Sequence, residues 1–293
     1  MAPNYRLFIF NMFLIIYILT LSCNLLITLL MFFSKLSHSP MYMFLSNLSM
    51  SEILFTSSIA PPMLYVIYRG GATFPLGGCF IQCYLFGSLG TLESFLLSVM
   101  SYDRFLAICR PLYYSLIMTP RLCLSLILVC WMSAFLIMSI SLIFLTTLNF
   151  CSINIIDHFF CDFVPLLSLS CSDTSTVQVV VSLLSSTATV FPFLLIIVTC
   201  GFIIKAIIGI SSSKGKQKAF STCSSHLGVV SMYYATLIMV YYEVPPGHSL
   251  EANKVLSLLY TVLTPLLNPF IYTLRNQEIK TAIRQIWTSV KRT

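Results

Sequence analysis

The chain has 293 residues, of which 58% are hydrophobic and only 9% are charged, with a formal net charge of +7. Soluble domains carry about 25% charged and roughly 45–50% apolar residues, so this composition excludes an ordinary soluble enzyme or nucleic-acid-binding domain. It favours a membrane protein, because a helix that crosses a bilayer needs about 20 consecutive apolar residues.

Seven stretches of that length are free of charge or are broken by a single acid. A helix satisfies its own backbone hydrogen bonds in hydrocarbon, so each stretch predicts one transmembrane helix. In chain order the predicted spans are 7–33, 41–66, 79–105, 122–146, 177–208, 219–242 and 253–274, followed by a short amphipathic cytoplasmic helix at 276–288. The predicted fold class is an all-α membrane protein, a seven-transmembrane helix bundle that forms one domain over residues 1–293.

The distribution of basic residues predicts the orientation of this bundle. With the N-terminus outside, only Arg6, Arg69 and Lys254 of the 16 Lys and Arg residues lie outside. Positively charged loops stay on the cytoplasmic side, so we expect the N-terminus outside and the C-terminus inside. The basic inner rim, with Lys218, would then face anionic lipids or an acidic protein partner.

Spans two and three each contain one acid deep in their interior. Glu52 lies about ten residues from the inner start of its span and Glu93 roughly eleven before Arg104, so both lie about 15 Å deep. Asn24 is at a similar depth and Asn268 is somewhat shallower. Two facing carboxylates cannot both stay ionised unless a cation or a shared proton intervenes. Three interpretations stay open: a bound cation, a neutral hydrogen-bonded pair, or no contact.

Four cysteines lie on the predicted outer side. Cys79 begins span three, and the long connection between spans four and five holds Cys151, Cys161 and Cys171. Disulfides are permitted in that compartment, and the sequence allows three pairings. Elsewhere the cysteines are typical of apolar packing, and no nucleophile, base and orienting group assemble as an enzyme requires.

Asp103 and Arg104 stand side by side at the inner end of span three. Ionised groups in a bilayer core cost about 2.5 to 3.5 kcal/mol each on insertion scales, so they mark function more often than packing. The pair lies in one of five distinctive segments: PMYMFLSNLSMSE (40–52), MSYDRFLAICRPLYY (100–114), HFFCDFVPLLSLSCSDT (158–174), KAFSTCSSHL (218–227) and PLLNPFIYTLRN (265–276). Together these segments resemble the signature blocks of olfactory receptors, which are rhodopsin-like (class A) G protein-coupled receptors.

The resemblance implies a function. Such a receptor binds a small, mostly apolar odorant in an outer helical pocket and activates a heterotrimeric G protein of the stimulatory, cAMP-raising type. Its partners are the odorant, the G protein and membrane lipids, with no nucleic acid and no catalysis. The residues implied in coupling and activation are Asp103, Arg104, Phe105, Lys218, Asn268, Pro269 and Tyr272. Two positions depart from the family pattern, since Phe105 and Cys200 stand where Tyr is usual.

The resemblance also bears on the paired acids. Receptors of this family are thought to hold a sodium ion between such acids. Glu52 and Glu93, with Asn24 and Asn268, therefore form a candidate sodium site. We expect no other cofactor.

Cysteine pairing and cellular location follow from the same resemblance. It implies disulfides between Cys79 and Cys161 and between Cys151 and Cys171. It also implies a multi-pass protein of the plasma membrane. Few residues precede span one, and the single Asn-x-Ser/Thr site, at Asn47, lies at the inner start of span two. We therefore expect an unglycosylated receptor that is retained in the endoplasmic reticulum when expressed heterologously.

Helical periodicity outlines a pocket between the outer halves of spans three, five, six and seven. Steps of three and four from Arg104 place one stripe on span three, with a small-residue gap at Gly90. The candidate ligand-binding residues are Cys83, Phe86, Gly87, Gly90, Thr91, Leu184, Ala188, Tyr234, Ile238, Tyr241, Leu258 and Thr261. Each of them equally fits plain helix packing. The pocket they outline is mostly apolar, with few hydroxyls and no acid or base in its outer half, which predicts neutral ligands with at most one hydrogen-bonding group.

Two other functions are weighed against this one. The first is a class A receptor for a non-odour metabolite in another tissue. The second is a small-solute transporter or channel, which requires broken helices, internal repeats or a polar pore lining. None of these features is visible in the sequence.

Overall fold

The computed structural model describes residues 3–33, 39–151, 156 and 159–209, and beyond them 212, 216–217, 224, 227–237, 261–262, 264–271 and 281. These residues are almost entirely helical. In chain order the helices are α1 (Pro3–Phe33), α2 (Pro40–Arg69), α3 (Leu76–Cys109), α4 (Pro111–Ile117), α5 (Pro120–Thr146), α6 (Phe163–Leu167) and α7 (Ser175–Gly209). Two further helical segments are α8 (Leu227–Leu237) and α9 (264–271). The predicted helix at 276–288 lies outside the described residues.

Within the described part of the chain, five helices are long and apolar enough to cross a membrane. They are α1, α2, α3, α5 and α7, and they correspond to the first five predicted spans. Each runs up to a few residues beyond the predicted bounds. α4 and α6 are short helices inside connections. Neither was predicted, because neither is long enough to span a bilayer.

Prolines, a threonine and a glycine set several helix ends. Pro40 and Pro120 are at the first turn of α2 and α5, where the missing N–H costs nothing. Thr119 caps α5, its side chain accepting a hydrogen bond from Leu122 N at 3.3 Å. Gly70 ends α2 with φ of 75°, and its N–H bonds Val66 O at 2.9 Å.

α3 is the central helix, since it packs against α2, α5 and α7, while α1 packs against α2. Leu92, Leu96, Leu97 and Met100 on α3 are completely buried in the main core. The outer helices instead expose large apolar side chains, such as Phe191 on α7. In a bilayer those side chains contact lipid, so the burial pattern fits a multi-pass membrane protein.

Both implied disulfides are present. Cys79 bonds Cys161, which ties the long connection to the start of α3, and Cys151 bonds Cys171 within that connection. Gln82 reinforces the first link, because its Oε1 accepts from Cys161 N at 2.9 Å and its Nε2 donates to Ser58 O at 3.1 Å. The connection is therefore held against both α3 and α2.

The end of α2 yields a stability prediction. A Cβ at Gly70 would lie 2.0 Å from Arg6 Nη1, and the residue has a left-handed φ. Replacing Gly70 with Ala should lower the free energy of unfolding by at least about 1–2 kcal/mol, the cost of left-handed backbone for an L-residue. Thermal unfolding of the purified receptor measures this effect. Gly77→Ala is the matched control, since a Cβ there meets nothing within 4 Å. Equal melting temperatures for the two variants would contradict the prediction.

Candidate functional site

A cavity of about 390 Å³ lies among α3, α7 and α8, at the end of the bundle that carries the disulfides. Residues from α3 form one wall, and the connection before α6 contributes Asp162. The predicted ligand residues that line this cavity are Cys83, Phe86, Gly87, Gly90, Thr91 and Tyr234. Sequence periodicity therefore located the α3 wall and one α8 residue.

The predicted α7 wall is wrong. Leu184 and Ala188 do not line the cavity; α7 presents Val181, Ser182, Ser185, Ser186 and Thr189 instead. Ala188 is buried against the bundle, only 4% exposed. The prediction used apolar residues alone, and hydropathy cannot tell a packing face of such a helix from a cavity face.

Thr261 belongs to a separate, smaller space. It lines a cavity of about 20 Å³ between α1 and α2, together with Tyr17 and Thr56. The remaining predicted ligand residues, Ile238, Tyr241 and Leu258, lie outside the described residues.

This cavity carries more hydroxyls than the few that were expected, and it includes an acid. Ser182, Ser185, Ser186 and Thr189 contribute hydroxyls at intervals of three and four, which place them on one face of α7. This spacing is visible in the sequence and could have identified the face. Asp162 adds an acid that was not among the predicted ligand residues, although the implied disulfide at the neighbouring Cys161 places this part of the connection beside the start of α3.

Asp162 is held at the edge of the cavity by the short helix that it caps. Its Oδ1 accepts a hydrogen bond from Phe163 N at 2.7 Å. The neighbouring Cys161 is anchored through its disulfide to Cys79 and through its N–H to Gln82. The acid is thus a fixed part of the cavity wall.

Two adjacent tyrosines join α8 to α3 beside the cavity. The Tyr233 hydroxyl donates to Gly90 O at 2.9 Å, and the Tyr234 hydroxyl lies 2.9 Å from Ser94 Oγ. The Tyr234 ring also packs on Phe193 of α7, with centroids 4.6 Å apart. All four bonded residues line the cavity, so an occupant can contact the groups that hold α8 in place.

Deeper in the bundle, the structure brings the predicted polar residues together. Asn268 Nδ2 donates to Glu52 Oε1 and, at 3.1 Å, to Glu93 Oε1. Asn24 Nδ2 donates to Pro265 O at 3.1 Å, which links α1 to α9. Glu52, Glu93, Asn24 and Asn268 are each at most 3% exposed. The interpretation with no contact between the two acids and their neighbours is therefore wrong.

The donor set of this cluster fits a hard cation such as sodium. Among the residues that the structure describes, three buried oxygens find no hydrogen-bond donor: Glu52 Oε2, Asn24 Oδ1 and Asn268 Oδ1. Carboxylate and amide oxygens are the ligands that hard cations prefer. Among the described residues no group of three or more His, Cys, Asp and Glu could hold a metal ion, so a transition-metal site has no support there.

At the opposite end of α3, Asp103 is completely buried and pairs with Arg104. Arg104 Nε donates to Asp103 Oδ2 at 2.9 Å, and Nη2 donates to the same oxygen. Tyr114 of α4 donates to Asp103 Oδ1 at 2.8 Å. Both carboxylate oxygens are therefore satisfied, which a buried charge requires. Burial, followed by the charge of Asp103, raises the pKa of Tyr114, so its hydroxyl keeps its proton.

Phe105 and Cys200, the two residues that depart from the family pattern, both make contacts that join α3 to α7. Phe105 packs on Tyr102 and on Phe202 of α7, with centroids 6.3 and 5.7 Å apart. Cys200 lies 3.8 Å from Ser101 Oγ, which also lies 2.7 Å from Thr199 Oγ1. Hydroxyl contacts thus join α3 to α7 at the level where the family usually carries Tyr.

The remaining predicted coupling residues divide into two groups. Asn268 and Pro269 lie in α9. Lys218 and Tyr272 lie outside the described residues. Tyr114 was not predicted as a functional residue, because no pattern in the sequence shows that α4 folds back onto Asp103.

Comparison with known proteins identifies the family. The sequence model described as "Olfactory receptor" matches residues 13–290. The chain is 42% identical to mouse (Mus musculus) "Olfactory receptor 1E16", over 99% of this chain and 92% of that protein. It is 44% identical to "Olfactory receptor 1G1" of Gorilla gorilla gorilla, over 95% of this chain and 90% of that protein.

A solved structure supports the fold. The crystal structure of squid rhodopsin matches with a TM-score of 0.70, covering 99% of this chain and 87% of that chain at 15% sequence identity. That likeness shows the seven-helix fold. Together with the sequence comparisons, it shows that the chain belongs to the olfactory receptor family, whose members are G protein-coupled signalling receptors rather than enzymes.

Proposed function

We propose that this receptor binds a small neutral odorant in the cavity among α3, α7 and α8, and activates a stimulatory G protein that raises cAMP. The cavity carries the proposal, since it lies on the same central helix as the buried Asp103–Arg104 pair. The resemblance to odorant receptors is what supports the stimulatory type of G protein.

Tyr233 and Tyr234 supply a route from the cavity to the helices. Their hydrogen bonds to Gly90 and Ser94 hold α8 against α3. A ligand that competes for these groups binds one arrangement of α8 better than another and so shifts the population between them. At the far end, release of Arg104 from Asp103 would present its guanidinium to the G protein.

The proposed orientation places the disulfide end outside and the Asp103–Arg104 end in the cytoplasm. The positive-inside rule supports it, since only Arg6, Arg69 and Lys254 would lie outside. The basic inner rim would then assist association with an acidic surface of the G protein.

We also infer that sodium binds at Glu52 and Glu93 with Asn24 and Asn268. The three unpartnered buried oxygens support this inference, because each costs free energy in the absence of a partner. A cation would supply positive charge that lets both acids stay ionised. In its absence the acids would share a proton.

Sodium should raise the melting temperature of the purified receptor. Because sodium would bind only the folded state, a concentration tenfold above its Kd would add about 1.4 kcal/mol. Thermal unfolding in sodium chloride and in choline chloride of equal ionic strength measures this. Glu93→Gln should abolish the difference between the two salts. No difference in the wild-type receptor would favour the neutral, hydrogen-bonded pair.

Replacing Arg104 with Ala should abolish ligand-stimulated cAMP and should also lower the surface level, because it leaves the buried Asp103 carboxylate without its paired cation. Arg104→Lys keeps Asp103 paired but removes the fork of donors, so it should also signal poorly. A cAMP reporter with surface immunolabelling measures both quantities. A normal cAMP response from either variant would mean that the Asp103–Arg104 pair has only a structural role. Solute uptake without a cAMP response would indicate a transporter.

Tyr114→Phe should destabilise the receptor by about 1.5 kcal/mol, because a partly buried hydrogen bond to a charged group is lost. It should also raise ligand-independent cAMP, since Arg104 is then held by a less well fixed carboxylate. The matched control is Tyr113→Phe, at a neighbouring side chain that is 57% exposed. Identical stability and basal cAMP in the two variants would overturn the prediction.

A further inference from the structure

We infer that the cavity selects a neutral ligand that carries at least two oxygen functions along one edge, such as a diol or a hydroxy ketone, and that it rejects carboxylates. The inference rests on the proposed function, which makes this cavity the ligand site. It departs from the sequence-based expectation of a ligand with at most one polar group.

The α7 wall of the cavity carries a row of four hydroxyls, from Ser182, Ser185, Ser186 and Thr189. Positions four apart on a helix are separated by about 6 Å along its axis, so the row offers contacts at two levels. Ser182, Ser185 and Ser186 are exposed, and Thr189 is half-buried. The row can therefore bond two separate oxygens of one extended molecule.

These four hydroxyls differ from others in the same helix. Thr187 donates back to Leu183 O at 2.8 Å, and Thr199 donates back to Leu195 O at 2.8 Å. Such bonds satisfy a hydroxyl inside an apolar helix. Within the described part of the chain, no hydrogen bond involves the side chains of the cavity-facing row. Their hydrogen-bonding capacity is thus available to an occupant of the cavity.

One part of the cavity wall is apolar and closely packed. Phe86 and Gly87 of α3 line the cavity there beside Met138 of α5, whereas Thr91 and Ser94 line it further along α3. A Cβ at Gly87 would lie 2.3 Å from Met138 Cε, so the methionine occupies the space that a larger residue would take. The cavity therefore offers an apolar patch as well as the hydroxyl row of α7. A ligand that fits both has a hydrocarbon edge and an oxygenated edge.

Asp162 sets the charge preference. Its carboxylate lies at the edge of the cavity and is fixed by its bond from Phe163 N. In a cavity of low dielectric, a second carboxylate nearby is strongly disfavoured. Hydroxyl groups, which donate as well as accept, suit both the acid and the serine row.

Binding to the purified full-length receptor tests the inference directly. The probes are n-octanol, an octanediol with hydroxyls three carbons apart, and octanoate, and the readout is ligand-induced thermal stabilisation over a concentration series. Each additional hydrogen bond should tighten binding about fivefold. We expect the diol to bind at least about fivefold more tightly than the alcohol, and octanoate to give no stabilisation.

Variants separate the hydroxyl row from the rest of α7. The Ser182→Ala, Ser186→Ala double variant should remove the preference for the diol, so that the diol binds no more tightly than n-octanol. Thr187→Val is the matched control, since its hydroxyl already bonds Leu183 O, and it should keep the full preference. Equal binding of diol and alcohol by the wild type, an unchanged preference in the double variant, or octanoate as the tightest ligand would each overturn the inference.

The same probes in a cAMP assay distinguish the proposed ligand class from the proposed signalling function. Diol binding that depends on the serines, without cAMP, would uphold the ligand class and refute the proposed signalling. A cAMP response to n-octanol as strong as to the diol would uphold signalling and refute the ligand class.

Discussion

The structure depends on one constraint, that polar groups inside an apolar bundle need partners. α3 shows this in its inner half, since Ser94, Ser101 and Asp103 bond Tyr234, Thr199 and Tyr114 respectively. Each bond crosses to a different element. Each of these polar side chains would cost free energy if it were buried without a partner. Bonded in pairs, they connect the central helix to α8, α7 and α4.

This arrangement explains how α3 could transmit the effect of a ligand in the cavity to the other end of the bundle. The cavity, the acid cluster and the Asp103–Arg104 pair all include residues of α3, and each also includes a residue from another element. A shift of α8 changes bonds at Gly90 and Ser94, next to Glu93 in the sequence. The cation or proton at the acid cluster would then influence which arrangement of helices is stable.

Much of this could be predicted from the sequence, because long apolar runs and isolated charges carry strong signals in a membrane protein. The first five spans, both disulfide pairings and the meeting of Glu52, Glu93 and Asn268 all follow from such signals or from the family's signature segments. The cavity face of α7 did not, because hydropathy alone favours the apolar residues of that helix and passes over the four hydroxyls that mark the face. Tyr114 was missed because no local pattern shows that α4 folds back onto Asp103, and Asp162 was missed although the implied disulfide at Cys161 places its segment beside α3.

The central claim is that an occupant of this cavity drives a G protein. It is tested most directly by nucleotide exchange on a purified stimulatory G protein, with the receptor in lipid nanodiscs and an octanediol as ligand. Our account predicts faster exchange with the wild-type receptor, lost when Ser185→Phe, a substitution within the hydroxyl row, fills the cavity without lowering the melting temperature. Ligand-stimulated exchange that persists in the filled variant would contradict it.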